Sequence, residues 1–185
     1  MGRTVNKILA KLFTRIPSLA ERWVEKDVAK LDSIDAPVEA KVIEDELALG
    51  IPWAPLSKPL NECRVAIITT AGVHLKTDEP FDMFDEEGDA TYREIPSSST
   101  QKDLMITHDY YEHIDADIDV NIIFPIDRLR ELEEEGVVAS VAINHYGFMG
   151  HIVGSYVSKL IHETAKEVAG KLEADGVDIV VIVPG

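Results

Sequence analysis

The chain has 185 residues, of which 45% are hydrophobic and 28% are charged, and its formal net charge is −16 at pH 7. This length suits one globular domain with an appendage, and so acidic a chain is not expected to bind nucleic acid. The single cysteine, Cys63, excludes an intramolecular disulfide and a multi-cysteine metal site. No apolar run approaches the roughly 20 residues of a transmembrane segment, and no secretory signal pattern is found, so we expect a cytoplasmic protein.

The first 49 residues are predicted to form a helical extension and a linker. Residues 1–30 hold seven Lys and Arg against three Asp and Glu, so their charge is opposite to that of the rest. Apolar side chains recur at helical spacing over residues 5–16, and a second helical stretch is predicted up to Leu31. The basic residues of the first helix are Arg3, Lys7, Lys11 and Arg15. Such a helix docks either on protein, its own chain or a second copy, or on an anionic membrane surface.

Residues 50–185 are predicted to form an α/β domain. The predicted strands cover residues 65–70, 104–107, 120–124, 137–144 and 177–183, and the predicted helices cover residues 125–135 and 152–175. An acidic excursion over residues 77–100 is expected to contain little regular structure. The alternation of strands and helices predicts a three-layer, open and mostly parallel sheet of the flavodoxin-like or Rossmann-like kind.

Polar residues and glycines follow the predicted strands, at the edge where open parallel sheets bind ligands. His74, His108 and His145 stand just past predicted strand ends, and Gly147 follows the last of them. Histidines at this edge can orient an anionic substrate or move protons, although each can instead make a structural hydrogen bond. Three imidazoles also raise the alternative of a metal site, but the close spacing of metalloenzyme motifs is missing from the sequence.

Two arginines are the best candidates for contacts to a substrate anion, because a guanidinium can hold a carboxylate through two parallel hydrogen bonds. Arg93 lies in the acidic excursion, where its alternative partners are the neighbouring carboxylates. Arg128 follows Asp127 in the first turn of the helix predicted over residues 125–135, and we include both as candidate substrate contacts. The glycine patterns that bind nucleotide phosphates do not occur, so nucleotide binding has only the fold analogy in its favour.

Five segments of the chain, taken in order, resemble a known family. They are residues 53–60 (WAPLSKPL), 69–75 (TTAGVHL), 91–96 (TYREIP), 124–129 (FPIDRL) and 145–150 (HYGFMG). Together they resemble the selenoprotein B family of glycine, sarcosine, betaine and D-proline reductases, and the length is most similar to that of the D-proline reductase member. The resemblance covers residues 50–185.

The resemblance implies a reductase that cleaves a carbon–nitrogen bond at the α-carbon of an amino acid or its N-methylated derivative. In the family a selenocysteine, sometimes replaced by cysteine, follows the strand that matches residues 177–183 and attacks that carbon. A separate subunit carries a pyruvoyl group, which activates the substrate in the glycine and D-proline systems. The resemblance therefore implies a small amino-acid-like substrate and a pyruvoyl-containing partner, with no cofactor in this chain itself.

The sequence stops at Gly185, where the resemblance places the nucleophile. We therefore expect a fragment that precedes the selenocysteine, produced by reading an in-frame UGA codon as stop, and no catalytic residue within the chain. A trimmed protein or a naturally short paralogue would end in the same way. The alternative function is a catalytically inert subunit that binds a small carboxylate or serves assembly.

The resemblance also bears on assembly. In the family another helix and strand follow, so the last strand here is expected to leave an apolar edge uncovered. The basic helix over residues 5–16 has an apolar stripe and a charge that complements the acidic body. We therefore expect a homo-oligomer in which the N-terminal helices contribute to the contact.

Overall fold

The computed structural model describes residues 54–185, so the extension predicted over residues 1–49 lies outside the described residues. The strands are β1 (Arg64–Thr69), β2 (Val73–Leu75), β3 (Tyr92–Pro96), β4 (Leu104–Ile106), β5 (Ser140–Val141), β6 (Asn144–Phe148) and β7 (Ile179–Val183). The helices are α1 (Ile114–Ile118), α2 (Ile126–Glu134), α3 (Ser155–Lys159) and α4 (Ala165–Ala174). Short 3-10 turns cover Leu60–Glu62, Gln101–Asp103 and Val120–Ile122, and a π-helical turn, Leu160–Thr164, joins α3 to α4.

Strand β1 is the centre of a mixed five-stranded sheet. β7 is parallel to β1 and pairs with it from Val65 to Thr69. On the other side of β1, the parallel strand β5 pairs with its beginning and the parallel strand β6 with its end. β3 then adds to β6 in the antiparallel sense, while β2 and β4 form a separate antiparallel ribbon. Three of the four pairings within the main sheet are parallel, as the α/β prediction requires.

Two hydrophobic clusters on the two faces of the sheet give the domain its three layers. Val65 and Ile67 of β1 pack in the first cluster with Ile126 of α2. Ala66 of β1, whose side chain points the other way, packs in the second cluster with Val168 of α4. Burial on both faces explains why β1 reads as a continuous apolar run and not as an alternating one. The predicted α/β fold is confirmed.

The helix predictions are confirmed with one refinement. α2 lies within the predicted residues 125–135, and Gly136 follows it with a φ of 70°. The helix predicted over residues 152–175 is present as α3, the π turn and α4, and Gly176 follows it with a φ of 71°. Both glycines occupy the left-handed conformation that commonly ends a helix.

Residues 120–124 were expected to form a strand, and this prediction is wrong. The segment begins as a 3-10 turn, Val120–Ile122. The cause is local, because the carboxylate of Asp119 accepts a hydrogen bond from the backbone N–H of Asn121 at 3.0 Å. A short acidic side chain that bonds to the backbone two residues ahead favours a turn over an extended ladder.

Two further boundaries differ from the prediction. The acidic excursion over residues 77–100 contains strand β3, which pairs with β6 along its whole length. The strand expected over residues 137–144 is reduced to the two residues of β5, and β6 begins at Asn144. The break between them arises because the N–H of Ile143 donates to the side chain of Asp175 at 2.8 Å and not to a neighbouring strand.

Candidate functional site

The carboxyl ends of β1 and β7 meet at one edge of the sheet. The N–H of Thr70 donates to the carbonyl of Val183 at 3.0 Å, and the N–H of Gly185 donates to Oγ1 of Thr70 at 3.2 Å. Ala71 forms an isolated antiparallel bridge with Met149, which follows β6. Residues 70–72, 149–150 and 185 therefore surround a common point, which we call the carboxyl edge.

Gly72 lets a further segment approach this edge. Its φ is 72°, and a Cβ at this position would lie 2.5 Å from the carbonyl oxygen of Thr107 and 2.8 Å from Cβ of His108. The backbone is held there because the N–H of Thr107 donates to the carbonyl of Gly72 at 2.9 Å. Only glycine combines this φ with so close a contact at low cost. The residues after β4 are thus brought against the end of β1.

His108 is the histidine at the carboxyl edge. The residue is 4% exposed, and the backbone N–H of Tyr110 donates to its Nδ1 at 3.3 Å. Its Nε2 is buried and has no hydrogen-bond partner among the described residues. Burial is the main reason that its pKa falls to about 4, and the nearby His151 lowers the pKa further. The ring is therefore neutral at pH 7.

Aromatic side chains surround His108. The rings of Tyr110 and Tyr111 meet it edge to face, with centroids 5.9 and 5.0 Å away. The hydroxyl of Tyr111 donates to the carbonyl of Ala71 at 2.9 Å, which ties this cluster to the end of β1. Tyr110 also packs on the ring of His151, with centroids 4.3 Å apart. Sequence reasoning missed these residues, although both tyrosines stand close to His108 in the chain.

The acidic excursion is fastened to the loop that follows β6. The N–H of Val153 donates to the carbonyl of Glu87 at 3.0 Å, and Gly88 forms a bridge with Ile152. The hydroxyl of Ser155, at the start of α3, donates to the carboxylate of Glu87 at 2.7 Å. A carboxylate near a helix N-terminus is stabilising. Together these contacts hold the excursion against the loop that follows β6, and this loop begins at the carboxyl edge.

His74 and Arg93 both contact the ring of Phe81. The ring of His74 meets Phe81 edge to face at 5.7 Å, and the guanidinium carbon of Arg93 lies 4.5 Å from the centre of the Phe81 ring. His74 donates from Nδ1 to the carbonyl of Leu75 and accepts from the hydroxyl of Thr107 at Nε2. Its two nitrogens are thus occupied by protein groups, and burial lowers its pKa.

Arg93 makes structural contacts within the acidic excursion. It donates to the carbonyls of Glu79 and Pro80 at 2.7 and 3.3 Å, and it lies 3.7 Å from the carboxylate of Asp89. These contacts agree with the alternative role considered from the sequence. Arg93 also pairs with Gly147 in the β3–β6 ladder.

Gly147 is required by close packing. A Cβ at this position would lie 1.9 Å from the carbonyl oxygen of Val73, so any side chain would push β2 away from β6. His74, Arg93 and Gly147 are consequently neighbours, one each on β2, β3 and β6.

His145 lies inside the domain and not at the carboxyl edge. The expectation that all three histidines stand past strand ends is wrong for this residue, and it is also wrong for His74, which is the buried middle residue of β2. His145 occupies the second position of β6, where its Nδ1 accepts a hydrogen bond from the N–H of Ile67 at 2.9 Å. Its ring packs against Phe124 with centroids 5.7 Å apart. Burial and then the charge of Arg130 lower its pKa to about 4.

Asp127 and Arg128 lie elsewhere. Asp127 pairs with Arg130 at 2.6 Å, and Arg130 also donates to the carbonyls of Ser97 and Ser99. The N–H of Ser97 donates to the carbonyl just before β6, which places this group at the amino end of β6, opposite the carboxyl edge. Arg128 is exposed and pairs with Glu131 at 2.7 Å.

A protein-family model matches most of the sequence. The family described as "Glycine/sarcosine/betaine reductase selenoprotein B" matches residues 11–184. The chain belongs to this family. The match begins well before residue 50, where the resemblance of the sequence motifs starts, and so includes much of the segment for which the motifs found no counterpart.

Curated relatives of this selenoprotein B family member agree with the assignment. D-proline reductase subunit gamma of Acetoanaerobium sticklandii is 38% identical over 133 residues, which are 72% of this chain and 53% of the relative. Betaine reductase complex component B subunit beta of Peptoclostridium acidaminophilum is 28% identical over 170 residues, 88% of this chain and 36% of the relative. Glycine reductase complex component B subunit gamma of Carboxydothermus hydrogenoformans is 25% identical over 161 residues, 82% of this chain and 36% of the relative.

The chain therefore spans about half the length of the first of these relatives and about a third of the other two. No solved structure matches the chain.

Three of the five family-like segments meet in the fold. Residues 69–75 contain the end of β1 and strand β2, residues 91–96 contain β3, and residues 145–150 contain most of β6. The segment at residues 124–129 packs instead near the amino end of β6. The motifs therefore mark both the carboxyl edge and the packing that supports it.

Three other features concern the described part of the chain: metal-ligand groups, a groove and membrane-spanning helices. Between residues 54 and 185, no group of three or more His, Cys, Asp or Glu is placed to hold a metal ion. A groove of about 500 Å³ lies between β4 and α1, and none of the predicted site residues lines it. None of the helices described between these limits is both long and apolar enough to cross a membrane.

Proposed function

We propose that this protein is a selenoprotein B-type subunit of a reductase that cleaves a carbon–nitrogen bond at the α-carbon of glycine, sarcosine, betaine or a D-proline-like substrate. The observation that carries the proposal is the family match over residues 11–184. Further support comes from relatives named as subunits of D-proline, glycine and betaine reductases. A cytoplasmic location and a pyruvoyl-containing partner subunit belong to the same proposal.

The substrate is proposed to bind at the carboxyl edge. His108 borders this edge directly, and Arg93, His74 and Gly147 form the packed wall next to it. Asp127, Arg128 and His145 were also candidate substrate contacts from the sequence. Their positions favour support of the fold, because Asp127 and His145 bind protein groups and Arg128 pairs with Glu131.

The nucleophile is proposed to be a selenocysteine or cysteine that follows β7 in the full-length protein. In the proposed reaction the selenolate or thiolate attacks the α-carbon and the amine leaves with the bonding electrons. A dithiol reductant then supplies the two electrons that release the reduced product. The proposal needs the selenolate or thiolate form of this residue, because the deprotonated chalcogen and not its protonated form is the nucleophile.

The alternative is a catalytically inert subunit that binds a small carboxylate or serves assembly. It is favoured by the position of Cys63, the chain's one cysteine. Cys63 precedes β1, and its thiol contacts the carbonyl of Pro59 at 3.2 Å, at the end of the sheet opposite the carboxyl edge. Within residues 54–185 there is consequently no thiol at the proposed site.

The nucleotide sequence after the Gly185 codon distinguishes the two functions. A UGA codon followed by an open reading frame and a selenocysteine insertion element supports the reductase subunit. A different stop codon with no open frame beyond it supports the inert alternative.

A further inference from the structure

Helix α1 turns large apolar side chains to solvent. Ile114 is 62% exposed and Ile118 is 74% exposed, and the two lie one helical turn apart on the same face. Ala116 lies on the opposite face and is buried in the first hydrophobic cluster. Ile122, in the 3-10 turn after α1, is also exposed. Single apolar residues are ordinary on a protein surface, but several within one short segment mark an interaction site.

A groove borders this exposed isoleucine surface, which we define as Ile114, Ile118 and Ile122. The groove has a volume of about 500 Å³ and lies between β4 and α1, where Met105 and Ala116 line it. A groove beside exposed apolar side chains is the form of surface that accepts an amphipathic helix.

The segment that contains α1 is strongly acidic. Residues 109–122 hold five Asp and Glu and no Lys or Arg. Asp115 and Asp117, both on α1, are exposed beside the isoleucines. Lys76 and Lys102 line the groove, and the ammonium of Lys76 donates to the carbonyl of Lys102 at 2.7 Å. An apolar surface in so acidic a segment fits a basic amphipathic partner and disfavours an anionic membrane.

The chain itself contains a partner of this chemistry. The helix predicted over residues 5–16 has an apolar stripe, and its basic side chains lie largely on the other side. At about 100° per residue, Lys11 and Arg15 are placed near the border of the stripe, where long side chains can reach around it. Strand β7 also exposes apolar residues, but Ile179–Val183 has no charged side chain. Charge therefore favours α1 over β7 as the surface that receives this helix.

We propose that the basic helix predicted over residues 5–16 of one copy docks on the isoleucine surface of a second copy. Its Lys11 and Arg15 then lie beside the carboxylates of α1. An exchange of helices between two copies repeats one contact about a two-fold axis, as in most homo-oligomers. It also brings the two bodies together, so the exposed apolar residues of β7 can be covered by the second copy. This interface does not depend on the proposed reductase function.

The test uses two charge-reversed forms of the full chain and a mixture of them. One form has Asp115→Lys with Asp117→Lys, and the other has Lys11→Glu with Arg15→Glu. Each form alone brings like charges together at both contacts, so sedimentation velocity should show association weakened by at least about tenfold. In a mixed pair both contacts again join opposite charges, so mixing should restore association to within about threefold of the parent.

Ile118→Ser tests the apolar part of the contact. We expect it to weaken association by at least about tenfold, because a docked helix buries this side chain. The matched control is Ile143→Ser, since Ile143 is 64% exposed and lies outside α1. This control should associate like the parent. Thermal unfolding of each single form checks for damage to the fold, whereas restored association in the mixture already requires both components to be folded.

A monomeric parent, or parent-like association of both charge-reversed forms and of Ile118→Ser, would overturn the inference. So would a mixture of folded forms that associates no better than its two components, because a helix that docks on its own chain gains nothing from mixing. Equal weakening by Ile118→Ser and Ile143→Ser would also overturn it, since the contact would then not be specific to α1.

Discussion

Gly147 is the residue where the smallest substitution should have a large effect. In Gly147→Ala the new Cβ would lie 1.9 Å from the carbonyl oxygen of Val73, so β2 and β6 must separate. We expect the free energy of unfolding to fall by about 2–3 kcal/mol, as for other overpacked cores. Urea denaturation measures this loss.

The matched control is Gly170→Ala. Gly170 is an exposed residue within α4, and a Cβ there meets nothing within 4 Å. This variant should gain about 0.5–1 kcal/mol from helix propensity. Equal effects of the two substitutions would contradict the close packing of β2 on β6.

The lowered pKa of His145 predicts that the protein loses stability in mild acid. Burial, and then Arg130, lower its pKa to about 4, while Asp175 acts weakly in the opposite direction. Above about pH 6.5 the ring is neutral in both the folded and the unfolded chain and has no effect. Between about pH 6.5 and 4 the unfolded chain takes up a proton that the folded chain does not, so stability falls as the pH falls.

His145→Asn removes this pH-dependent contribution to stability, because asparagine does not take up a proton in this range. The asparagine side-chain oxygen can still accept from the N–H of Ile67, so the hydrogen bond is kept. The loss of unfolding free energy between pH 7 and pH 5 should then be shallower than in the parent, by at most about 1.4 kcal/mol per pH unit. His162→Asn makes the same substitution at an exposed histidine and is the matched control. A parent-like pH dependence in His145→Asn would show that His145 titrates normally in the fold.

The position of a single residue can be predicted from the sequence where the neighbouring residues alone define the strand beside it. His108 was expected beside a strand end and is found there, because the apolar run over residues 104–107 that precedes it predicts β4. His145 was placed wrongly because residues 137–144 resemble one long strand. The interruption depends on the carboxylate of Asp175, which is 32 residues from Ile143 in the chain.

At the scale of elements, local signals predicted the helices and the central strand well. Pro125, Gly136 and Gly176 mark helix ends through backbone conformation alone, and β1 and β7 are continuous apolar runs. β3 was hidden in an acidic segment, since its pairing with β6 comes from tertiary contacts and not from strand propensity. The ribbon of β2 and β4 similarly depends on the close approach at Gly72.

Strand β7 presents an apolar outer surface. Ile182 is 68% exposed and Val181 is 40% exposed, whereas Val180 packs against the second hydrophobic cluster. We expect Ile182→Thr to weaken self-association while changing the free energy of unfolding by no more than about 0.5 kcal/mol. Threonine keeps the β-branched shape that suits a strand.

Val180→Thr is the comparison for this strand. It brings a hydroxyl into the cluster and should destabilise the fold itself. Sedimentation velocity and urea denaturation separate the two effects. If Ile182→Thr leaves the association constant unchanged, the exposed surface of β7 is not part of the contact.

At the scale of the whole molecule, the charge of the chain is divided. The net charge is −16, yet residues 1–30 hold seven Lys and Arg against three Asp and Glu. This complementarity underlies the proposal of a homo-oligomer in which the N-terminal segment contributes to the contact. Light scattering of the full chain should give an oligomer, and a shortened protein that begins at Ala48 should give a smaller species. A monomeric full chain, or an oligomer unchanged by the deletion, would contradict the proposal.

The proposed reductase function is tested most directly by turnover. The protein made from the complete reading frame is combined with the pyruvoyl-containing subunit and a dithiol, and product is measured from D-proline, glycine, sarcosine and betaine. We predict C–N cleavage of at least one substrate by the complete protein, both with and without Cys63→Ser, and none by the chain that ends at Gly185. Absence of turnover with all four substrates, or equal turnover by the chain that ends at Gly185, would contradict a reductase subunit whose nucleophile follows β7.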